Sequence, residues 1–189
     1  MDHQLLKGNL VYLTVEDPQV MAEALSRWSL DSEYWRLAAS DAAIPRSSKA
    51  IKGWLEKEMA TENPQLFMFA IRRLEDNQLI GEIDLDGVLW THGEAFVGIS
   101  LGEREFWGKG YGTDAMRVIL KYAFTELNLD RLSLNVFDYN PRARRSYEKA
   151  GFKEEGSCRE FLLRDGRRYD LTFMGILRSE WEELVGNEN

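Results

Sequence analysis

The stretch "EFWGKGYGTDAM", residues 105–116, sets three glycines, Gly108, Gly110 and Gly112, in alternation directly ahead of an amphipathic run. Glycine reaches positive φ at no steric cost and lets a ligand approach the main chain. The first N–H groups of a helix have no partner inside it, and the helix dipole favours negative charge at that end. A glycine loop that opens a helix therefore suits an anion, and a phosphate above all. Lys109 adds a positive charge and Thr113 a hydroxyl.

The surrounding pattern tells which phosphates fit. A nucleotide P-loop needs G-x-x-x-x-G-K-[ST], and that string is absent. A dinucleotide fingerprint, G-x-G-x-x-G/A, is met only from Gly110 to Ala115, deep in the chain and without a run of βαβ units around it. A pyrophosphate loop for coenzyme A is the third reading.

Downstream, Met116, Leu120, Ala123 and Leu127 share one face, so the periodicity predicts a helix from about Gly112 to Leu127. "RLSLNVF" alternates Leu132, Leu134 and Val136 as a half-buried strand. "NPRARRSYEKAGF" reads as a short helix, with Asn140 as cap, Pro141 at the first position and Gly151 just past the end. The tail carries two strands joined by an Asp165-Gly166 turn. Upstream, "NLVYLTV" (9–15), "LFMFAIRRL", "QLIGEIDLD" and "EAFVGISLG" (94–102) read as strands. Asp17-Pro18 opens a helix that runs to about Trp28. "SLDSEYWRLAAS" reads as short helix and loop, and Ile51, Trp54, Leu55 and Met59 mark another helix, with Trp54 assigned to the core. The order predicts an α/β (α+β) fold: one mixed, mostly antiparallel sheet of about seven strands, flanked by about four helices. With 189 residues and no linker-like segment, residues 1–189 are expected to form a single domain.

The formal charge of −8 speaks against a nucleic-acid partner, which needs a basic face, and suits a cationic substrate. Cys158 is the only cysteine, which excludes an internal disulfide and a cysteine-based metal site. Residues 1–10 lack a basic segment followed by an apolar run, and no apolar stretch approaches the ~18 residues of a membrane span. These features predict a cytoplasmic protein with no membrane partner and no metal.

The stretch "FWGKGYGTDAM…YAFTELNLDRLSLNVFDYNPRARRSYEKAGF" resembles the GNAT superfamily of acetyltransferases, and most of all the branch that acetylates ribosomal-protein N-termini and polyamines. The family loop R/Q-x-x-G-x-G/A is matched by Trp107, Gly108, Lys109, Gly110, Tyr111 and Gly112, with Trp where the family has R/Q. Its second motif, N-x-x-A-x-x-x-Y-x-x-x-G-F, is matched by Asn140, Ala143, Tyr147, Gly151 and Phe152. The resemblance covers about residues 78 to 176. It implies a GNAT fold that binds acetyl-CoA and passes its acetyl group to an amine without a covalent acetyl-enzyme.

By the same resemblance, Ile99, Ser100 and Leu101 align the pantetheine arm, the loop from Trp107 to Thr113 holds the pyrophosphate, and Asn140 and Ala143 meet the arm from the other side. Tyr147 is the family tyrosine that donates a proton to the departing thiolate, and a phenol of pKa ~10 is able to do so at neutral pH. One or two of Arg142, Arg144, Arg145 and Lys149 would face the 3′-phosphate of CoA. An attacking amine must first lose a proton. Glu82 and Glu94, with Asp84 beside Glu82 on one strand face, are the carboxylates in reach of that task; His3 and His92 are poor candidates. Ser146, Tyr34 and Trp35 are candidates to touch the acceptor. The acceptor is an amine-bearing small molecule, a polyamine among them, or a peptide N-terminus. Family habit suggests a homodimer, and the C-terminal "SEWEELVGNEN" either pairs subunits or finishes the sheet. A CoA-binding regulatory module without turnover is the alternative reading.

Overall fold

Four helices begin where a short polar side chain meets their free N–H groups. Asp17 caps α1 (Pro18–Trp28), Asp31 caps α2 (Ser32–Ala38), Ser47 caps α3 (Ser48–Met59) and Asn140 caps α5 (Pro141–Ala150), each accepting from backbone N–H in the first turn. α4 (Tyr111–Thr125) starts on Gly110, at φ 92°, and no side chain caps it. The computed structural model describes residues 5–61 and 65–187; His3 lies outside them.

The strands are β1 (Val11–Thr14), β2 (Phe67–Arg73), β3 (Leu79–Leu89), β4 (Glu94–Leu101), β5 (Arg131–Phe137), β6 (Lys153–Arg164) and β7 (Arg167–Leu177). They form one seven-stranded sheet in the order β1-β2-β3-β4-β5-β7-β6. Only β4 and β5 run parallel. Asp165 and Gly166 both take positive φ, as a tight hairpin between right-twisted strands requires.

Alternate residues of β2 and β3 supply two separate cores. On one face, Ile71, Ile83, Leu85 and Val97 pack with Met116, Ile119, Leu120 and Ala123 of α4. On the other, Ala70 packs with Met21 and Ala22 of α1 and Ile51 and Leu55 of α3. α3 thus buries two of the four residues whose spacing marked it. Trp54 is 44% exposed and Met59 54%, so the core assignment of Trp54 is corrected. Trp54 is mid-helix and Met59 is at the helix end, and the small core under α3 covers only the Ile51–Leu55 stripe. Among the described residues there are six α-helices where about four helices were expected. The short helix expected in "SLDSEYWRLAAS" is α2, kept in place by the Asp31 cap, and the helix that was not expected is α6 (Arg178–Asn187). α6 folds back on its own chain: Trp181 lies 5.5 Å from the Phe124 ring, and Leu184 covers Gly151.

The start of α4 is tied to the N-terminal segment by one buried carboxylate. Asp114 accepts from the backbone N–H groups of Asn9, Leu10 and Val11 at 3.1, 2.7 and 3.0 Å. It also sits in the first turn of α4, where negative charge is favoured. Asp114→Ala is expected to lower stability by about 3 kcal/mol, since three donors lose a charged acceptor in a place with little water. Urea unfolding checks this, and a loss under ~0.5 kcal/mol would remove the clamp from the argument.

Candidate active site

β4 and β5 pair over three positions only, Glu94–Arg131, Ala95–Leu132 and Phe96–Ser133. Beyond them each strand follows its other neighbour. β4 stays with β3 to Leu101, and β5 stays with β7 to Phe137. The two separate, and a groove opens between the end of β4 and the start of α5. Ile99, Ser100 and Leu101 line one side, and Asn140, Ala143, Ser146 and Tyr147 the other. Gly108, Gly110, Gly112 and Thr113 close the end, and Tyr34, Leu37 and Ala38 of α2 form the wall on the remaining side.

The glycine loop meets the groove with its main chain. Gly108 and Gly110 hold φ of 73° and 92°, where other residues are strained. The N–H groups of Tyr111, Gly112 and Thr113 precede the first hydrogen bond within the helix, from Asp114 to Gly110, and have no side-chain cap. Among the five described α-helices that begin after a loop, the other four carry a side-chain cap. Trp107 donates from Nε1 to the Leu101 carbonyl at 2.7 Å, which fixes the loop to the end of β4. Its ring carries the Arg142 guanidinium 4.0 Å from its centroid. The side chains of Lys109 and Tyr111 do not join the groove: Tyr111 packs edge-on against Phe106 at 5.5 Å, and Lys109 reaches over the same Phe106 ring.

Of the four basic residues on α5, Arg142, Arg145 and Lys149 line the groove. Arg144 turns away to pair with Glu148 and Glu154. A chain of net charge −8 thus presents three cations and an open helix N-terminus to one groove, which is the electrostatics of a polyanion site.

Asn140 does two things at once. Its Oδ1 caps α5 by accepting from Ala143 N–H at 3.2 Å, and the residue lines the groove. Tyr147 is 8% exposed and lines the groove, and burial pushes its phenol up to about 12. It therefore keeps its proton across the whole neutral range.

The carboxylates separate clearly. Glu94 stands at the closed end of the β4–β5 pair, where it accepts from Ser133 Oγ at 3.3 Å and faces Arg131. It lies five residues before Ile99, about 17 Å along a strand, and the structure does not bring it to the groove. Glu82 pairs with Ser100 in the β3–β4 register and accepts from Ser100 Oγ at 3.1 Å. Tyr34, buried in α2, completes the contact with its hydroxyl 2.9 Å from the same Ser100 Oγ. Burial, and then the neighbouring Asp84 charge, raise Glu82 to about 7. Asp84 is raised to about 6 by burial and by Asp86. Ser146 bonds Thr113 across the two helices at 2.8 Å. Trp35 stacks under Arg46 at 4.3 Å and is absent from the groove lining. His92 sits in the β3–β4 turn, away from the groove. Leu37 and Ala38 carry no polar group and no motif, so only the packing of α2 reveals them.

Residues 9–153 match the acetyltransferase (GNAT) domain, and the chain belongs to this family. The putative ribosomal N-acetyltransferase YdaF of Bacillus subtilis is 37% identical over 109 residues, 58% of this chain and 59% of that protein's length. The probable N-acetyltransferase YjcK of the same organism is 30% identical over 191 residues, covering 95% of this chain and 100% of that protein. Among solved structures, spermidine N-acetyltransferase from Vibrio cholerae in complex with CoA and spermine superposes with a TM-score of 0.75 at 27% identity, over 91% of this chain and 98% of that one. No described helix is long and apolar enough to cross a membrane.

Proposed function

We propose that this chain transfers the acetyl group of acetyl-CoA to a primary amine, by direct attack of the amine on the bound thioester. The observation that carries the reading is the groove at the β4–β5 split, which sets an uncapped glycine-opened helix beside Tyr147. The phosphates of CoA would meet the N–H groups of α4 and the cations Arg142, Arg145 and Lys149. The pantetheine arm would run between Ile99–Leu101 and Asn140–Ala143, with a β4 N–H toward the thioester oxygen. A similar protein solved with CoA and spermine supports the cofactor and an amine acceptor. Positioning of the two reactants supplies much of the rate.

The amine arrives protonated, at pKa ~8 for a peptide N-terminus and ~10 for a polyamine. Glu82 is the base in this reading, because it has a side chain bonded to a groove residue and a carboxyl near the operating pH. The Asp84 charge raises Glu82 and the Asp86 charge raises Asp84, so a cationic acceptor beside Glu82 relieves repulsion. That favours a polyamine or a peptide amine over a neutral hydroxyl acceptor.

The sign of the pH dependence follows. Glu82 accepts a proton only as the carboxylate, so below about 7 the rate falls tenfold per pH unit and above it levels off. Glu82→Gln is expected to lower kcat by about 10²-fold and to remove that limb. Release of free thiol from acetyl-CoA, against spermidine, spermine and short peptides with different N-termini, tests the reading. Turnover with one class names the acceptor. Tight CoA binding with no release from any amine would replace it with the binding-module alternative.

A further inference from the structure

The two hydrogen bonds on Ser100 define a direction. A serine hydroxyl has one hydrogen, and Glu82 as carboxylate can only accept it. Ser100 Oγ therefore donates to Glu82, at 3.1 Å, and its lone pairs face Tyr34, whose hydroxyl at 2.9 Å must be the donor. The order is Tyr34 to Ser100 to Glu82. Of these, Tyr34 and Ser100 line the groove and Glu82 stands behind Ser100. An amine in the groove reaches the carboxylate through the serine.

We propose that Ser100 is the proton relay between the acceptor amine and Glu82, and that Tyr34 is the residue that orients it. The inference rests on the acetyltransfer reading above. As the ammonium N–H bond breaks, its proton goes to Ser100 Oγ and the Ser100 proton goes to a Glu82 oxygen. The products are a neutral amine with a free lone pair, an unchanged serine and a protonated Glu82, so charge and atoms balance. Tyr34 keeps its own proton throughout, because burial and the Glu82 charge hold its phenol far above the neutral range. Its part is to occupy one lone pair of Ser100, which leaves the hydrogen directed at Glu82 and the second lone pair free for the amine.

The local frame fixes these three groups. Tyr34 is held by its 6.1 Å ring contact with Trp28 and by the Asp31 cap on its N–H. The charged groups around Glu82 are Asp84 on its own strand and Arg46 from the connection before α3, which lowers it. β2 presents Ala70 opposite it and β4 presents Ser100, both uncharged. Arg46 is itself anchored, by its N–H to Ser29 and its carbonyl to Ser26.

The test is the kcat–pH profile at saturating acetyl-CoA, with whichever of spermidine, spermine or the peptides releases thiol fastest. Ser100→Ala is expected to cost about 30-fold in kcat, and Tyr34→Phe about tenfold. In Ser100→Ala the acidic limb should move to higher pH, since Glu82 loses the donor that stabilises its charge; in Tyr34→Phe it should move the same way by less, since the Ser100 hydroxyl stays but is no longer held toward Glu82. Ser100→Thr keeps the hydroxyl and is expected to return the limb to its original position. A purely structural role for Tyr34 would lower the rate without moving the limb. If Ser100→Ala keeps the limb and at least half of kcat, the relay is wrong. Should Tyr34→Phe lose its fold in a thermal melt, the Ser100→Ala and Ser100→Thr pair decides alone. Glu82→Gln separates the two levels: a normal rate there overturns Glu82 as base, whereas a large loss there with unaltered serine and tyrosine variants overturns the relay only.

Discussion

Tyr147→Phe is expected to lower kcat by about 10²-fold while the KM for acetyl-CoA stays within about twofold. The phenol is buried at the groove and pushed up to about 12. A thiol ionises at ~8.5, so complete proton transfer from this phenol to a thiolate would run uphill by about 5 kcal/mol. In the proposed reaction Tyr147 would thus be a hydrogen-bond donor to sulfur while the C–S bond breaks, and the freed thiolate would take its final proton from the new N–H⁺ group. Such a contact exists in the transition state and is weak toward the intact thioester, so its loss lowers kcat and leaves binding alone. The ring survives in Phe and keeps its edge contact with Phe152 at 6.3 Å, so the fold should be unchanged. Because the phenol keeps its proton, Tyr147 adds no alkaline limb below about pH 11. Steady-state kinetics at fixed pH check the loss, and a variant retaining half of kcat would take Tyr147 out of the chemistry.

What could be read without coordinates divides along a physical line. Glycine at positive φ, Asn140 as a cap and Gly151 past a helix end are demands of the local backbone, and the residue type reports them directly. The glycine loop and the Asn–Tyr–Gly segment were therefore legible, and so were the strands with clear alternation. Contacts between distant segments were not. Glu82 and Glu94 look alike as strand carboxylates, and only the β4–β5 split shows that one lies beside the groove and the other at its closed end. Tyr34, Glu82 and Ser100 come from three elements, and no spacing rule links a tyrosine on α2 to a serine on β4. Arg144 and Arg145 are adjacent in the chain, yet they point to different partners because successive helical residues turn by about 100°. Trp54 went the other way, since helical spacing marks a face but not the depth of what covers it.

Gly112→Leu is expected to weaken CoA binding by about 100-fold without loss of stability. Gly112 stands in the first turn of α4 and, unlike Gly108 and Gly110, does not take positive φ. A Cβ placed there would lie 3.7 Å from Ser146 Oγ and 3.9 Å from the side chains of Ile99 and Leu101. These are ordinary contacts, so the protein itself tolerates a side chain at this point. All three neighbours line the groove, however, and a larger side chain extends into the space the pyrophosphate and pantetheine would need. Gly112→Ala, by the helix preference of alanine, is expected to hold or raise stability by up to about 1 kcal/mol. Gly110→Ala does not separate the two effects, because φ of 92° strains any other residue and stability falls along with binding. The pair at position 112 therefore isolates the groove from the fold. Calorimetric titration with CoA gives the affinity and a thermal melt gives the stability. Wild-type affinity in a stable Gly112→Leu protein would mean that CoA does not bind at the β4–β5 split, and the proposed transfer reaction would lose its site.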